Sequence, residues 1–110
     1  MSLTFTQLQQ RFEAGFLPEK AAGLDSLFQY VVPDGSNFFM RVAGGALDLS
    51  AGDAVDPADL IITLEWHTLE QLLAGELSSM QAFMFGHIKV QGSLSLASRL
   101  IELFSTDAQH

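Results

Sequence analysis

Residues 82–93, AFMFGHIKVQGS, decide the fold. Gly86 punctuates the stretch and marks a residue just past a helix end, where a left-handed backbone is wanted. Upstream, Ser78-x-x-Gln81 has the capping-box form, and Met80, Phe83 and Met84 share one helical face. Downstream, residues 88–91 (IKVQ) are too short for a helix and read as a strand, and Gly92-Ser93 opens a new helix. A helix, a strand and a helix within thirty residues predict an α+β fold.

Working back, Thr68-x-x-Gln71 is another capping box, with Leu69, Leu72 and Leu73 forming a short helix that stops at Gly75. Residues 60–66 (LIITLEW) are apolar enough on both faces for a covered strand. The loop 51–59 is rich in turn residues. Residues 27–32, 37–43 and 46–50 read as three strands joined by the turns Pro33-Asp34-Gly35-Ser36 and Gly44-Gly45, an antiparallel meander. Phe38, Met40 and Val42 share one face of the second strand, with Phe39 and Arg41 on the other. Before these, Thr4-x-x-Gln7 caps a helix whose Phe5, Leu8, Phe12 and Phe16 fall within an arc of about 80°, and which stops near Phe16.

Working forward, the last helix runs to about Phe104. Its Leu94, Leu96, Ala97, Leu100, Ile101, Leu103 and Phe104 cover an arc of about 180°, wider than the ~100° stripe of an ordinary surface helix. Ser95, Ser98, Arg99, Glu102 and Ser105 fill the other half. So wide an apolar face implies contacts on two sides. The expected architecture is a single domain over residues 1–110, with a five-stranded, mostly antiparallel sheet covered by helices.

Composition agrees with a greasy small domain. The 110 residues are 48% apolar, and only 16% are charged, against a usual charged share of about 25%. Thirteen acids against five bases give a net charge of −8. Arg11, Lys20, Arg41, Lys89 and Arg99 stand singly, so the chain lacks the clustered bases that bind nucleic acid or anionic membranes. The absence of cysteine removes disulfides, thiolate nucleophiles and Cys-ligated metals, and fits a reducing compartment. The opening Met1-Ser2-Leu3-Thr4-Phe5-Thr6-Gln7 has no signal-peptide character, so a cytoplasmic location is expected.

The catalytic inventory is thin. There is no G-x-S-x-G elbow and no phosphate-binding glycine motif around Gly44-Gly45. Glu65 and His67, two apart in the expected strand, could share a face, but a strand end entering a helix cap accounts for both. His87 and the terminal His110 lack partners at metal-ligand spacing. Asp53, Asp56 and Asp59 recur every third residue without the Gly and Glu of an EF-hand, and Asp56 and Asp59 read as turn residues that solvate the loop. No enzyme activity, metal or cofactor is expected. The surplus is apolar: Met80, Phe83, Met84 and Phe85 crowd before Gly86, ahead of the wide last helix. Either a core or a ligand pocket would use such residues.

Residues 59–104 resemble the sterol carrier protein 2 family. The resemblance rests on Asp59-Leu60-Ile61-Ile62-Thr63, on Leu69-x-x-Leu72-Leu73-Ala74-Gly75-Glu76-Leu77, on the run from Ala82 to Ser93, and on Leu96-Ala97-x-x-Leu100-x-x-Leu103-Phe104. From Phe12 to Ser50 only the order of elements matches. The resemblance implies a five-stranded sheet with helices on one side, an apolar cavity, and binding or transfer of sterols, phospholipids or fatty acyl-CoA. It also implies, for some members, attachment to enzymes or assistance to isoprenoid-quinone synthesis.

Two departures stand out. The chain ends Asp107-Ala108-Gln109-His110 rather than in a peroxisomal tripeptide, and His87 stands where lysine is common. The cavity residues implied are Met80, Phe83, Met84, Phe85, Leu96, Leu100 and Phe104, with Phe38 and Met40 from the sheet and Phe12 and Phe16 closing one side. The expected partner is a hydrophobic small molecule or lipid, with at most transient membrane contact. The alternative is an accessory module that docks on a lipid- or quinone-pathway enzyme, or on a second copy, through an apolar patch.

Overall fold

Strand β1 (Asp25–Val31) lies at the middle of a five-stranded sheet with order β3-β2-β1-β4-β5. A computed structural model describes residues 4–104. The expectations for residues 1–3, Ser105, His110 and the C-terminal tetrapeptide fall outside them. Along the chain come α1 (Phe5–Gly15), a 3-10 turn (Pro18–Ala21), β1, β2 (Phe38–Ala43), β3 (Ala46–Ala51) and β4 (Leu60–Leu64). Then follow α2 (Trp66–Leu73), α3 (Ser79–Met84), β5 (Ile88–Gly92) and α4 (Leu94–Glu102).

The β1–β2–β3 meander forms as expected, and β5 returns antiparallel to β4. β4 pairs with β1 in parallel, the one parallel pair in the sheet. Its loop is tied down before pairing starts: the Asp59 carboxylate accepts from the Leu27 N–H at 2.9 Å, and the Asp59 N–H donates to the Leu27 carbonyl at 2.8 Å. Asp59 is therefore a structural tie rather than a residue that merely solvates the loop. Asp53 also has a partner, accepting from the Asn37 amide at 2.9 Å.

Alternation gives the sheet one strongly apolar face. Phe28 is level with Met40 and Leu60 in the register, and Tyr30 with Phe38 and Ile62. Phe28, Met40 and Leu60 are completely buried. α1 lays Leu8 and Phe12 on the β1–β2 side, where the rings of Tyr30 and Phe38 stack at 4.6 Å and Phe12 meets each at 5.9 Å. Offset and tilted ring pairs of this kind add to the stabilisation from burial alone. On the opposite face, the Gln29 amide donates to the carbonyls of Tyr30, Phe38 and Gly52, and its oxygen accepts from the Ala54 N–H. One side chain thus fastens the loop after β3 to the back of the sheet.

The capping boxes at Thr4/Gln7 and Ser78/Gln81 both form. The one at Thr68/Gln71 does not. β4 stops at Leu64, Glu65 is the N-cap residue, and Trp66 and His67 already belong to α2. Thr68 sits buried inside the helix. The start moves upstream because Asp34, in the turn after β1, supplies the cap: its carboxylate accepts from the Trp66 N–H at 2.8 Å. α4 is also shorter than expected. Leu103 closes it, and Phe104 leaves the helix to form a bridge with Phe16. Gly92, the last residue of β5, has φ +130°, and a Cβ there would lie 2.8 Å from the Asp59 carbonyl oxygen. Only glycine lets β5 turn into α4 so close to β4.

Candidate functional site

The helices α2, α3 and α4 stand off the β4–β5 half of the sheet and enclose a cavity of about 290 Å³. Its floor is Leu60, Ile62 and Leu64 of β4 with Ile88 and Val90 of β5. These five face one way because they alternate along strands paired Ile62 to Val90 and Leu64 to Ile88. Tyr30, Phe12 and Phe104 close the end nearest α1, with Phe12 and Phe104 edge to face at 5.3 Å. α2 contributes Leu69, Leu72 and Leu73. α3 adds Ser79, Met80 and Phe83, and α4 adds Leu94, Ala97, Ser98, Leu100 and Ile101.

Floor and rim differ sharply in exposure. Leu60, Ile62 and Leu64 are 0–4% exposed, whereas Met80 is 55%, Phe83 45%, Leu94 67% and Ile101 39%. The mouth therefore lies between α3 and α4. The half-cylinder of α4 divides its work accordingly: Leu94, Ala97, Ser98 and Ile101 follow one stripe along the cavity, while Leu96 and Leu103 pack on the core.

Among the lining residues, only Tyr30, Ser79 and Ser98 carry hydroxyls. Burial pushes the Tyr30 phenol well above its ordinary pKa, which keeps it neutral and able to donate. The wall offers apolar contact and a few neutral hydrogen-bonding groups.

Of the residues anticipated from sequence, Phe12, Met80, Phe83, Leu100 and Phe104 are brought together on this wall. Six others lie off it. Phe38 and Met40 are core beneath α1, and Leu96 packs on that core. Phe16 sits behind Phe104, its ring 5.9 Å away. Met84 and Phe85 point outward, 70% and 67% exposed. Met84 is the last residue of α3 and Phe85 its cap, so both stand at the end of the helix, outside the cavity lining that takes Met80 and Phe83.

The residues sequence reasoning missed are chiefly the β4 and β5 floor, Tyr30, and the α2 leucines. Their period-two and period-3.6 spacing was visible, but a floor and a core have the same spacing. The strand geometry imagined for Glu65 and His67 does not exist, since the chain turns from extended to helical between them. His87 is exposed, with its ring edge-on to Phe85 at 6.4 Å. Among the described residues no group of three or more His, Asp or Glu could hold a metal, and no helix is long and apolar enough to cross a membrane.

Comparison with known proteins gives this geometry a context. The profile of the SCP-2 sterol transfer family matches residues 5–105. The chain belongs to that family. Membership implies binding or transfer of lipid. The chain is 27% identical over 86 residues to human hydroxysteroid dehydrogenase-like protein 2, an alignment covering 78% of this chain and 21% of that protein.

Solved structures with the same SCP-2 fold include the sec-alkylsulfatase Pisa1 from Pseudomonas sp. Its TM-score is 0.78 at 23% identity, covering 98% of this chain and 17% of the sulfatase. Palmitated SCP2L2 from Aedes aegypti, solved by NMR, has a TM-score of 0.73 at 20% identity, with both chains fully covered. The chain thus spans about a fifth of the human relative and a smaller part of the sulfatase.

Proposed function

We propose that this chain binds a hydrophobic ligand in the cavity between the sheet and α2–α4, and carries it without chemistry of its own. The ligand class is a fatty acyl lipid, an isoprenoid or a sterol-like molecule. The observation that carries the reading is the cavity itself, whose floor is aliphatic and whose mouth opens between α3 and α4. Burying an apolar chain there stabilises the complex by roughly 25 cal/mol per Å² removed from water. A cytoplasmic site of action is part of the proposal and rests on the lack of cysteine. Native mass spectrometry of the purified protein, followed by titration with the neutral dye Nile red and lipid competitors, tests it. A retained lipid, or competitor-reversible dye binding, is expected. No adduct together with no dye binding would remove the reading.

The accessory-module reading is favoured by a separate observation: Met84 and Phe85 project from α3 outside the cavity. Its other support is that this fold makes up 17% of the sulfatase chain. A Met84→Ser/Phe85→Ser double variant separates the two readings. Loss of a stable protein complex with lipid binding intact favours docking, and an unchanged sizing profile with lipid bound favours the carrier.

A further inference from the structure

The placement of charge around the cavity says what kind of polar end its ligand carries. The chain has five lysines and arginines, all within the described residues, and none reaches the wall. Arg41 pairs with Asp25 at 2.9 Å on the far face of the sheet. Lys89 lies between Ile88 and Val90 on β5, so alternation sends it to that far face too. Arg99, although on α4, donates to the carbonyls of Lys20 and Ala22 at 3.1 and 3.3 Å, anchoring the helix to the 3-10 turn. Arg11 and Lys20 are exposed on α1 and on that turn. His67 and His87 are exposed and off the wall. The charged residue that follows the rim's Ile101 on α4 is an acid, Glu102.

An anionic headgroup drawn into such a site would shed its water and meet no compensating cation. A hydroxyl loses far less, because the hydroxyls of Tyr30, Ser79 and Ser98 can each donate and accept. We propose that the cavity selects a lipid whose polar end is uncharged and hydrogen-bonding, such as a long-chain alcohol, over the carboxylate of the same chain length. This rests on the reading that the cavity holds a lipid and adds a rule for which lipid.

The test displaces Nile red with dodecanol, dodecanoate and dodecylammonium at neutral pH, using the wild-type protein and a Ser98→Lys variant. Ser98 is exposed on the rim, so the variant leaves the core untouched. In the wild type, dodecanol is expected to bind at least about tenfold more tightly than dodecanoate. Ser98→Lys is expected to narrow that gap, strengthening dodecanoate through the new ammonium while costing dodecanol one of its three hydroxyl partners. That second comparison separates a site preference from the greater hydrophobicity of an alcohol. Dodecanoate binding as tightly as dodecanol to the wild type, or a gap that Ser98→Lys does not alter, overturns this inference while lipid binding stands. If no competitor displaces the dye, the inference and the carrier reading fall together.

Discussion

The Asp34 carboxylate caps the N–H of Trp66 at 2.8 Å, so the turn after β1 sets where the helix after its parallel neighbour β4 begins. The helix it starts carries Leu69, Leu72 and Leu73 onto the cavity wall. Replacing Asp34 by Ala is expected to lower stability by about 1 kcal/mol, and by Asn much less, since asparagine caps comparably. Urea denaturation of the three proteins measures this.

Core and cavity wall respond in opposite ways to substitution. Met40→Ala removes a fully buried side chain beneath α1 and is expected to cost about 2–5 kcal/mol. Leu100→Trp fills open space and is expected to stay within about 1 kcal/mol of wild type while lowering the lipid bound per chain. Denaturation midpoints paired with native mass spectrometry distinguish the two. Equal losses of stability in both variants would show Leu100 to be plain core.

Gln29 serves the sheet from behind. Leucine there keeps the bulk but leaves the Ala54 N–H and three carbonyls without this partner. We expect Gln29→Leu to destabilise by about 1–3 kcal/mol. Lipid affinity at saturating folded protein should not change, because the side chain lies on the face away from the cavity.

Tyr30 gives a pH signature. Burial raises its folded pKa above the ordinary 10.0. In alkali the unfolded phenol ionises first, so the folded state then holds more protons. The Tyr30 contribution is complete below pH 10.0 and is lost as pH climbs toward the folded value. Stability of the wild type should therefore run parallel to that of Tyr30→Phe up to about pH 10 and fall more steeply above it. Curves that stay parallel above it would contradict the burial of this hydroxyl.

Much of this architecture could be read in one dimension wherever the determinant was local. Thr4/Gln7 and Ser78/Gln81 cap their helices because each pair lies three residues apart. Thr68/Gln71 misled because the competing cap came from Asp34, thirty-two residues away. The parallel β1–β4 pair was hidden for the same reason, as no short turn announces it. At the site, the apolar surplus near residues 80–85 and on α4 was legible. The inward or outward sense of each side chain was not. Met84 and Phe85 have the composition of a wall, yet at the end of α3 they stand in water. Ser98 has the composition of a surface, yet α4 turns it toward the cavity.

None of the nine residues of α4 is fully buried, and the helix is gripped at its ends. Gly92 and Ser93 hold one end, and Arg99, Leu103 and the Phe16–Phe104 bridge hold the other. Between these anchors it spans the cavity like a plank laid over a trench, with Leu96, Ala97 and Leu100 only partly buried against the core. Segments with few fully buried contacts sit toward the low-stability end of a fold. Displacing this one helix would widen the opening and leave the β4–β5 bed beneath it in place.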